Sequence, residues 1–240
     1  MKTFGVEYFH NICLNYFQNK RLEEIKNICK IETTMEKWFQ CEVILSFVQE
    51  GFEVFSSEIY NEKYGTITDE TLWNSYSNVW QIVTAEASVY KDPRKKADIV
   101  IEKEDESLVC EIKWIWMYDE VCRDEIEFEK ILRKIIDKNE VFEDAKKNQD
   151  LAQPFNHHCL TIFASIDKKS FSYEKDVMKK KIENCFKKEK EGYEIEKILC
   201  DKITSYETRD YLHFYENDKK EDSKKSKNDI FIITIELNKM

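Results

Sequence analysis

Apolar residues recur at three- and four-residue spacing near the start of the chain. Residues 4–30 show this spacing, which predicts one or two helices. The next segment, "TTMEKWFQCEVILSFVQEG", offers Thr33 and Thr34 as caps and Gly51 as a stop, so a further helix is predicted. "FEVFSSEIYNE" then alternates and predicts a first strand with a bulge near Ser56 and Ser57.

Later segments alternate between strand and helix patterns. Residues 96–102 and 107–116 predict a pair of strands around the charged turn "EKEDES". "HHCLTIFASID" and "NDIFIITIEL" predict two more strands, and residues 124–151 and 173–190 predict helices that cover the sheet. The polar stretch "ENDKKEDSKKSKND" is expected to be a mobile loop.

Residues 61–93 are interpreted as an insertion between the first and second core strands. The insertion carries an aromatic stripe at helical spacing, expected to be core or else a surface for stacking bases: Leu72, Trp73, Tyr76, Trp80 and Val83. The whole order predicts a single α/β domain over residues 1–240, with a mixed β-sheet flanked by helices. Its parts are an N-terminal helical extension (1–32), a core (33–167) and a C-terminal helix and strand (168–240).

Composition narrows the class of protein. Within its 240 residues no run of eighteen apolar residues occurs, so we expect a cytoplasmic protein without a membrane span. The eight cysteines are scattered without a C-x-x-C pair, which favours buried free thiols. A net charge of −10 argues against nucleic-acid binding by bulk electrostatics, so such binding would need a local patch such as Arg94, Lys95 and Lys96.

The stretch "KKADIVIEKEDESLVCEIKWIW" places carboxylates in predicted strands. Side chains alternate along a strand, so Glu111 and Lys113 share a face with Val109. If the two strands form a hairpin, Asp98 approaches Glu111. Two such carboxylates require a cation, and Mg²⁺ prefers carboxylate and carbonyl oxygens. A lysine beside the ion can orient or deprotonate water, so the pattern indicates phosphodiester chemistry.

Asp98, followed thirteen residues later by Glu111-Ile112-Lys113, resembles the motif of the PD-(D/E)XK nuclease superfamily. The resemblance covers roughly residues 36–167 and implies a restriction-endonuclease-like α-β-β-β-α-β core. The family's proline before the aspartate is replaced here by Ala97.

The resemblance implies a deoxyribonuclease that uses Mg²⁺, with Mn²⁺ as a substitute. Asp98, Glu111 and the carbonyl of Ile112 would bind the metal, and Lys113 would position or activate water. A glutamate from the preceding helix would be the remaining catalytic residue and metal ligand. Glu42 matches it by its place in an apolar run, and Glu36 and Glu58 are competitors.

The family analogy also suggests partners. DNA would be the substrate, and a homodimer or a DNA-handling ATPase or helicase would supply the binding that an acidic chain lacks. Restriction, phage defence and repair are the natural settings.

Two other interpretations stay open. The charged strands could form a surface hairpin with a cross-strand charge pair. The protein could instead be a non-catalytic acidic interaction module that uses the aromatic stripe of residues 73–83 as its contact surface. His157 and His158 are expected to be a surface or hydrogen-bonded pair, since neither has a partner at metal-ligand spacing.

Overall fold

The computed structural model describes residues 4–28, 35–55, 81–87, 96–116, 155–167, 179–180, 183–184, 193–208 and 226–239. Three helices and seven strands have defined bounds within these ranges. The helices are α1 (Val6–Lys20), α2 (Leu22–Ile28) and α3 (Glu36–Gln49). The strands are β1 (Glu53–Phe55), β2 (Gln81–Ala87), β3 (Ala97–Lys103), β4 (Glu106–Trp116), β5 (His157–Asp167), β6 (Tyr193–Thr208) and β7 (Ser226–Lys239).

All seven strands form one mixed sheet in the order β1-β2-β3-β4-β5-β7-β6. The pairs β1–β2 and β4–β5 are parallel, and the other four neighbouring pairs are antiparallel. The predicted α/β class with a mixed sheet is therefore confirmed for the described part of the chain. None of the helices described is long and apolar enough to cross a membrane.

The main core lies between the helices and one face of the sheet. Phe39 of α3 stacks on Phe163 of β5 with ring centroids 4.0 Å apart, and it also stacks on Trp114 of β4 at 5.0 Å. Phe17 of α1 meets Phe163 edge-on. Aromatic pairs at these distances add to the stabilisation from burial alone, so they fix α1 and α3 against the centre of the sheet.

The helix ends and the central hairpin largely follow the sequence. Gly51 adopts φ 90°, and its N–H donates to the carbonyl of Val48, as expected of the residue that stops α3. The N-cap of α3 is Met35, which has no side-chain capping bond, and the proposed caps Thr33 and Thr34 lie outside the described residues. β3 and β4 pair around the charged turn as predicted, with Glu104 at φ 55°.

Two expectations about strands are wrong. The supposed insertion between the first and second core strands contains β2, which pairs with β3 in the sheet. Val83, the last member of the predicted aromatic helix, is fully buried in that strand, because the strand's β-branched run completes the sheet next to β3. The rest of that helix, and residues 56–61 of the predicted first strand, lie outside the described residues.

The C-terminal part contains one more strand than expected. β6 was not predicted because register shifts between Ile195 and Lys197, and between Lys202 and Thr204, interrupt its apolar alternation. β7 begins inside the stretch expected to be a mobile loop, because Asp229 there is satisfied across the sheet by Ser205 and Lys202. The remainder of that stretch and the predicted helix at 124–151 lie outside the described residues, whereas residues 179–180 and 183–184 are helical.

The described cysteines are all free, as expected. Burial holds for Cys13, Cys110, Cys159 and Cys200, but Cys41 is exposed, because it lies on the outer face of α3 rather than on the face against the sheet. Burial raises the pKa of the Cys13 and Cys159 thiols, so these side chains stay protonated and act as small apolar groups.

Candidate active site on the central strands

Asp98 lies where the pairing of β3 is interrupted on both sides. Toward β2, the paired residues are Ala85 with Ile99 and Ala87 with Ala97, and the register skips the position where Glu86 faces Asp98. Glu86 has φ 54°, a left-handed conformation that is uncommon outside glycine. Toward β4, the last paired residues are Ile99 and Cys110, so the regular pairing stops just short of Asp98. Asp98 therefore depends on contacts other than the regular ladder.

The carboxylate of Asp98 replaces the missing ladder bond to β4. The backbone N–H of Ile112 donates to Asp98 Oδ2 over 2.8 Å. Beyond this point β4 continues beside β5, with Ile112 opposite Thr161. The half-buried Asp98 side chain is thus held beside the main chain that carries Glu111, Ile112 and Lys113. The hairpin brings Asp98 and the predicted E-x-K residues together.

Glu111 and Lys113 lie on the face of β4 that is turned away from the helix-side core. Leu108, Cys110 and Ile112 belong to that core, so the intervening residues point the other way. Glu111 is 4% exposed and Lys113 is half-buried. A carboxylate at this burial is costly to ionise without hydrogen bonds or a nearby positive charge.

The donor set can be compared with the needs of a magnesium ion. Within the ranges that the structure describes, no three or more His, Cys, Asp or Glu side chains are grouped so as to hold a metal ion. Mg²⁺ is commonly bound by one or two carboxylates and keeps several waters. Asp98, Glu111 and the carbonyl of Ile112 fit that smaller requirement in chemical type.

Glu42 is bound by groups of the neighbouring helices. Its Oε2 accepts a hydrogen bond of 2.6 Å from the Tyr16 hydroxyl and one of 2.8 Å from Arg21 Nε. Burial and then the bond to Glu42 raise the pKa of Tyr16 to about 12. These contacts join α3 to α1 and to the start of α2. They do not support the expected metal-binding role of Glu42.

The residue of α3 that reaches Asp98 is Gln40. Its Nε2 donates to the carbonyl oxygen of Asp98 over 2.6 Å. Residues two apart on a helix point about 200° apart, so Gln40 and Glu42 face different neighbours. Glu36 lies one turn before Gln40 and is half-buried, whereas Glu58 lies outside the described residues.

Gln40 has a second polar neighbour, Glu86. Glu86 Oε1 lies 3.4 Å from Gln40 Nε2 and forms an ion pair with Lys37, one turn earlier on α3. Sequence analysis missed both Gln40 and Glu86. A polar glutamine within the apolar run "WFQCEVILSF" was the available signal for the first, and no local pattern marks the left-handed backbone of the second.

The remaining predicted residues lie elsewhere or are not described. Lys96 is exposed just before β3, while Arg94 and Lys95 lie outside the described residues. His157 Nδ1 lies 2.9 Å from Glu236 Oε1, in keeping with the expected hydrogen-bonded histidine. That hydrogen bond raises the pKa of His157, and burial opposes the shift.

No protein-family model, curated protein or solved structure matches this chain.

Proposed function

We propose that this protein is a metal-dependent nuclease that hydrolyses phosphodiester bonds in DNA. The observation that carries the proposal is the bond from the Ile112 N–H to the Asp98 carboxylate at the interrupted position of β3. This bond places one carboxylate beside the strand segment that carries a second carboxylate, a main-chain carbonyl and a lysine. Buried acidic groups next to a lysine are a typical arrangement for acid–base chemistry.

The order of the described elements supports the proposal. α3 precedes the antiparallel strands β2, β3 and β4, and β5 lies parallel to β4. This order agrees with the α-β-β-β-α-β core of the restriction-endonuclease-like fold at each element described. The first core strand is then β2, and β1 is a short addition at the sheet edge.

In this proposal, the site residues of β3 and β4 have separate tasks. Asp98, Glu111 and the Ile112 carbonyl would hold Mg²⁺, which supplies a Lewis acid that polarises the phosphate and lowers the pKa of bound water. The ammonium group of Lys113 would orient the attacking water or receive its proton. The bond from Ile112 keeps one Asp98 oxygen directed at β4 and leaves the other oxygen for a ligand.

DNA binding needs a further source of positive charge, because the chain carries a net charge of −10. A homodimer, or a DNA-handling ATPase or helicase, is the partner that we propose. Lys96, one residue before β3, is the described member of the predicted basic patch and lies close in sequence to Asp98.

The test compares the wild-type protein with a Glu111→Ala, Lys113→Ala double variant. Both are incubated with supercoiled plasmid, linear duplex and single-stranded DNA in Mg²⁺, Mn²⁺ or EDTA. We expect metal-dependent cleavage by the wild type and a loss of at least about 100-fold in the variant. A matched control, Lys197→Ala, removes an exposed lysine on β6 that pairs with Glu7 and should leave cleavage unchanged.

Equal cleavage by the double variant and the wild type would overturn the proposed site. If neither protein cleaves DNA, calorimetric titration with Mn²⁺ separates the remaining cases. Binding that depends on Glu111 would indicate a nuclease that needs its partner. Lack of binding would favour the non-catalytic interaction module.

A further inference from the structure

Gln40 is the buried polar residue of α3 closest to the candidate site, and the proposed chemistry does not yet use it. It is 5% exposed, and its side-chain amide carries two N–H groups that a buried position must satisfy. One donates to the Asp98 carbonyl at 2.6 Å, and Glu86 Oε1 at 3.4 Å is within reach of the same nitrogen. A glutamate at position 40 would offer no donor to either group when ionised.

The position of Gln40 matches the gap in the sheet. The regular pairing of β2 with β3 is interrupted between Glu86 and Asp98, where the backbone of Glu86 is left-handed. A buried carbonyl that loses its ladder bond needs another donor. Gln40 supplies that donor to Asp98, so a side chain of α3 takes the place of a strand neighbour.

Several contacts hold Gln40 itself in place. The neighbouring Phe39 stacks on Phe163 and Trp114, which fixes α3 over β4 and β5. Glu86 accepts from Lys37 as well, so the negative charge beside the glutamine is neutralised. The amide of Gln40 is thus confined from the helix side and from the β2 side at once.

We propose that Gln40 is a positioning residue for Asp98. By anchoring the Asp98 carbonyl, it fixes the main chain of β3 so that the carboxylate accepts from the Ile112 N–H and remains beside Glu111 and Lys113. The chain of contacts runs from Lys37 through Glu86 and Gln40 to Asp98. Its consequence for metal binding and cleavage rests on the nuclease function proposed above, whereas the positioning itself does not.

The test measures hydrogen exchange of the Ile112 amide by NMR in the wild type and in Gln40→Met, which keeps the chain length and removes both donors. Without the bond from Gln40 to the Asp98 carbonyl, the bond from the Ile112 N–H to Asp98 should open more often, and exchange at Ile112 should be about tenfold faster. The amides at the centre of β7 report global opening and should speed up by the overall loss of stability, whereas amides near the ends of β6 that exchange by local fraying should be unaffected. Gln49→Met, an exposed change on the same helix, serves as the matched control and should leave Ile112 at its wild-type rate.

Unchanged exchange at Ile112 in Gln40→Met would overturn the positioning role, as would equal acceleration at Ile112 and at the locally fraying ends of β6. If Gln40→Met does not fold, Gln40→Glu provides the same comparison, because it preserves the size of the side chain and removes the donor when ionised. The exchange rate of the Ile112 amide in Gln40→Glu then tests the positioning role in the same way.

Calorimetric titration with Mn²⁺ separates this inference from the proposed function. If the wild type binds Mn²⁺ through Asp98 and Glu111, Gln40→Met should weaken that binding about tenfold. Wild-type protein that binds no Mn²⁺ would count against the nuclease function, and the exchange rate of Ile112 would still decide the role of Gln40. Normal Mn²⁺ binding together with normal exchange in Gln40→Met would reject the inference alone.

Discussion

Glu42 and Asp98 are two acidic residues near α3 that are held by different kinds of partner. Glu42 of α3 is bound by the hydroxyl of Tyr16 on α1 and by the guanidinium of Arg21, which lies between α1 and α2. Asp98 is bound by a backbone N–H of β4, and its own carbonyl accepts from Gln40. The first carboxylate receives a full positive charge, whereas the contacts of the second fix its position and add no formal charge.

This difference separates a structural carboxylate from a candidate catalytic one. An ion pair with Arg21 offsets the cost of burying Glu42 and already supplies that carboxylate with a positive charge. A single N–H bond to Asp98 orients the carboxylate and leaves it able to accept another ligand. The two carboxylates should therefore differ in their contributions to activity and to stability.

The largest expected difference is in activity. Asp98→Asn removes the charge but keeps the shape, so we expect metal-dependent DNA cleavage to fall by at least about 100-fold. Glu42→Gln should retain cleavage within a few-fold, because Glu42 is bound away from the site. Initial rates of plasmid cleavage below the melting temperature of both variants make the comparison. A loss in Glu42→Gln as large as that in Asp98→Asn would return Glu42 to the catalytic set.

The next difference is in stability. Arg21→Met leaves the Glu42 carboxylate buried without its positive partner, which should lower the free energy of unfolding by about 2 kcal/mol. The double variant Arg21→Met, Glu42→Gln should recover part of this loss, because the stranded charge is then gone. Urea denaturation of the single and double variants measures the coupling.

Lys26→Met is the matched control for Arg21→Met. Lys26 pairs with Glu23 on the surface of α2, where the Glu23 side chain is 75% exposed. Such a pair contributes less than about 1 kcal/mol, so its loss should scarcely shift the unfolding midpoint. Equal effects of the two substitutions would mean that burial of Glu42 does not set the strength of its ion pair.

The smallest effect concerns a third carboxylate, Glu236, whose partner can change its charge. The hydrogen bond to Glu236 raises the pKa of His157, with burial opposing it and Glu106 and Glu196 adding to it. The folded protein therefore holds the proton more tightly than the unfolded chain. The resulting stability is present below about pH 6.5, the ordinary histidine pKa, and is lost as pH rises through the raised value.

His157→Gln should flatten this dependence, by less than about 1 kcal/mol because the histidine is partly exposed. Urea denaturation across pH 5 to 9 measures it. Glu236→Gln should have a larger effect on the profile than Glu106→Gln, since Glu106 lies 3.8 Å from His157 and is more exposed. A profile in His157→Gln identical to that of the wild type would exclude the histidine as its source.

Local pattern was sufficient for much of the fold. The spacing in residues 4–30 predicted α1 and α2, and the alternation around Asp98 and Glu111 predicted the hairpin of β3 and β4. The local pattern gave the wrong prediction at β2, because Val83 was assigned to a helix with an aromatic stripe. It missed β6, where register shifts interrupt the alternation of apolar residues. Both failures occur where pairing with a neighbouring strand overrides the local period.

The sequence alone determined which residues of β4 share a face, because side chains alternate along any strand. It also predicted that Asp98 would approach Glu111 if the hairpin formed, but the alternation left the register of the two strands open. It could not decide between Glu42 and its competitors on the helix, because three- and four-residue spacing does not specify which face meets which strand.

Only the tertiary structure shows which residues of α3 face the strands. The stacking of Phe39 on Phe163 and Trp114 sets the rotation of α3, which directs Gln40 to Asp98 and leaves Glu42 to Arg21 and Tyr16. The left-handed backbone of Glu86 likewise depends on contacts between α3 and β2. Long-range packing fixes both features, since their energies depend on residues far apart in the chain.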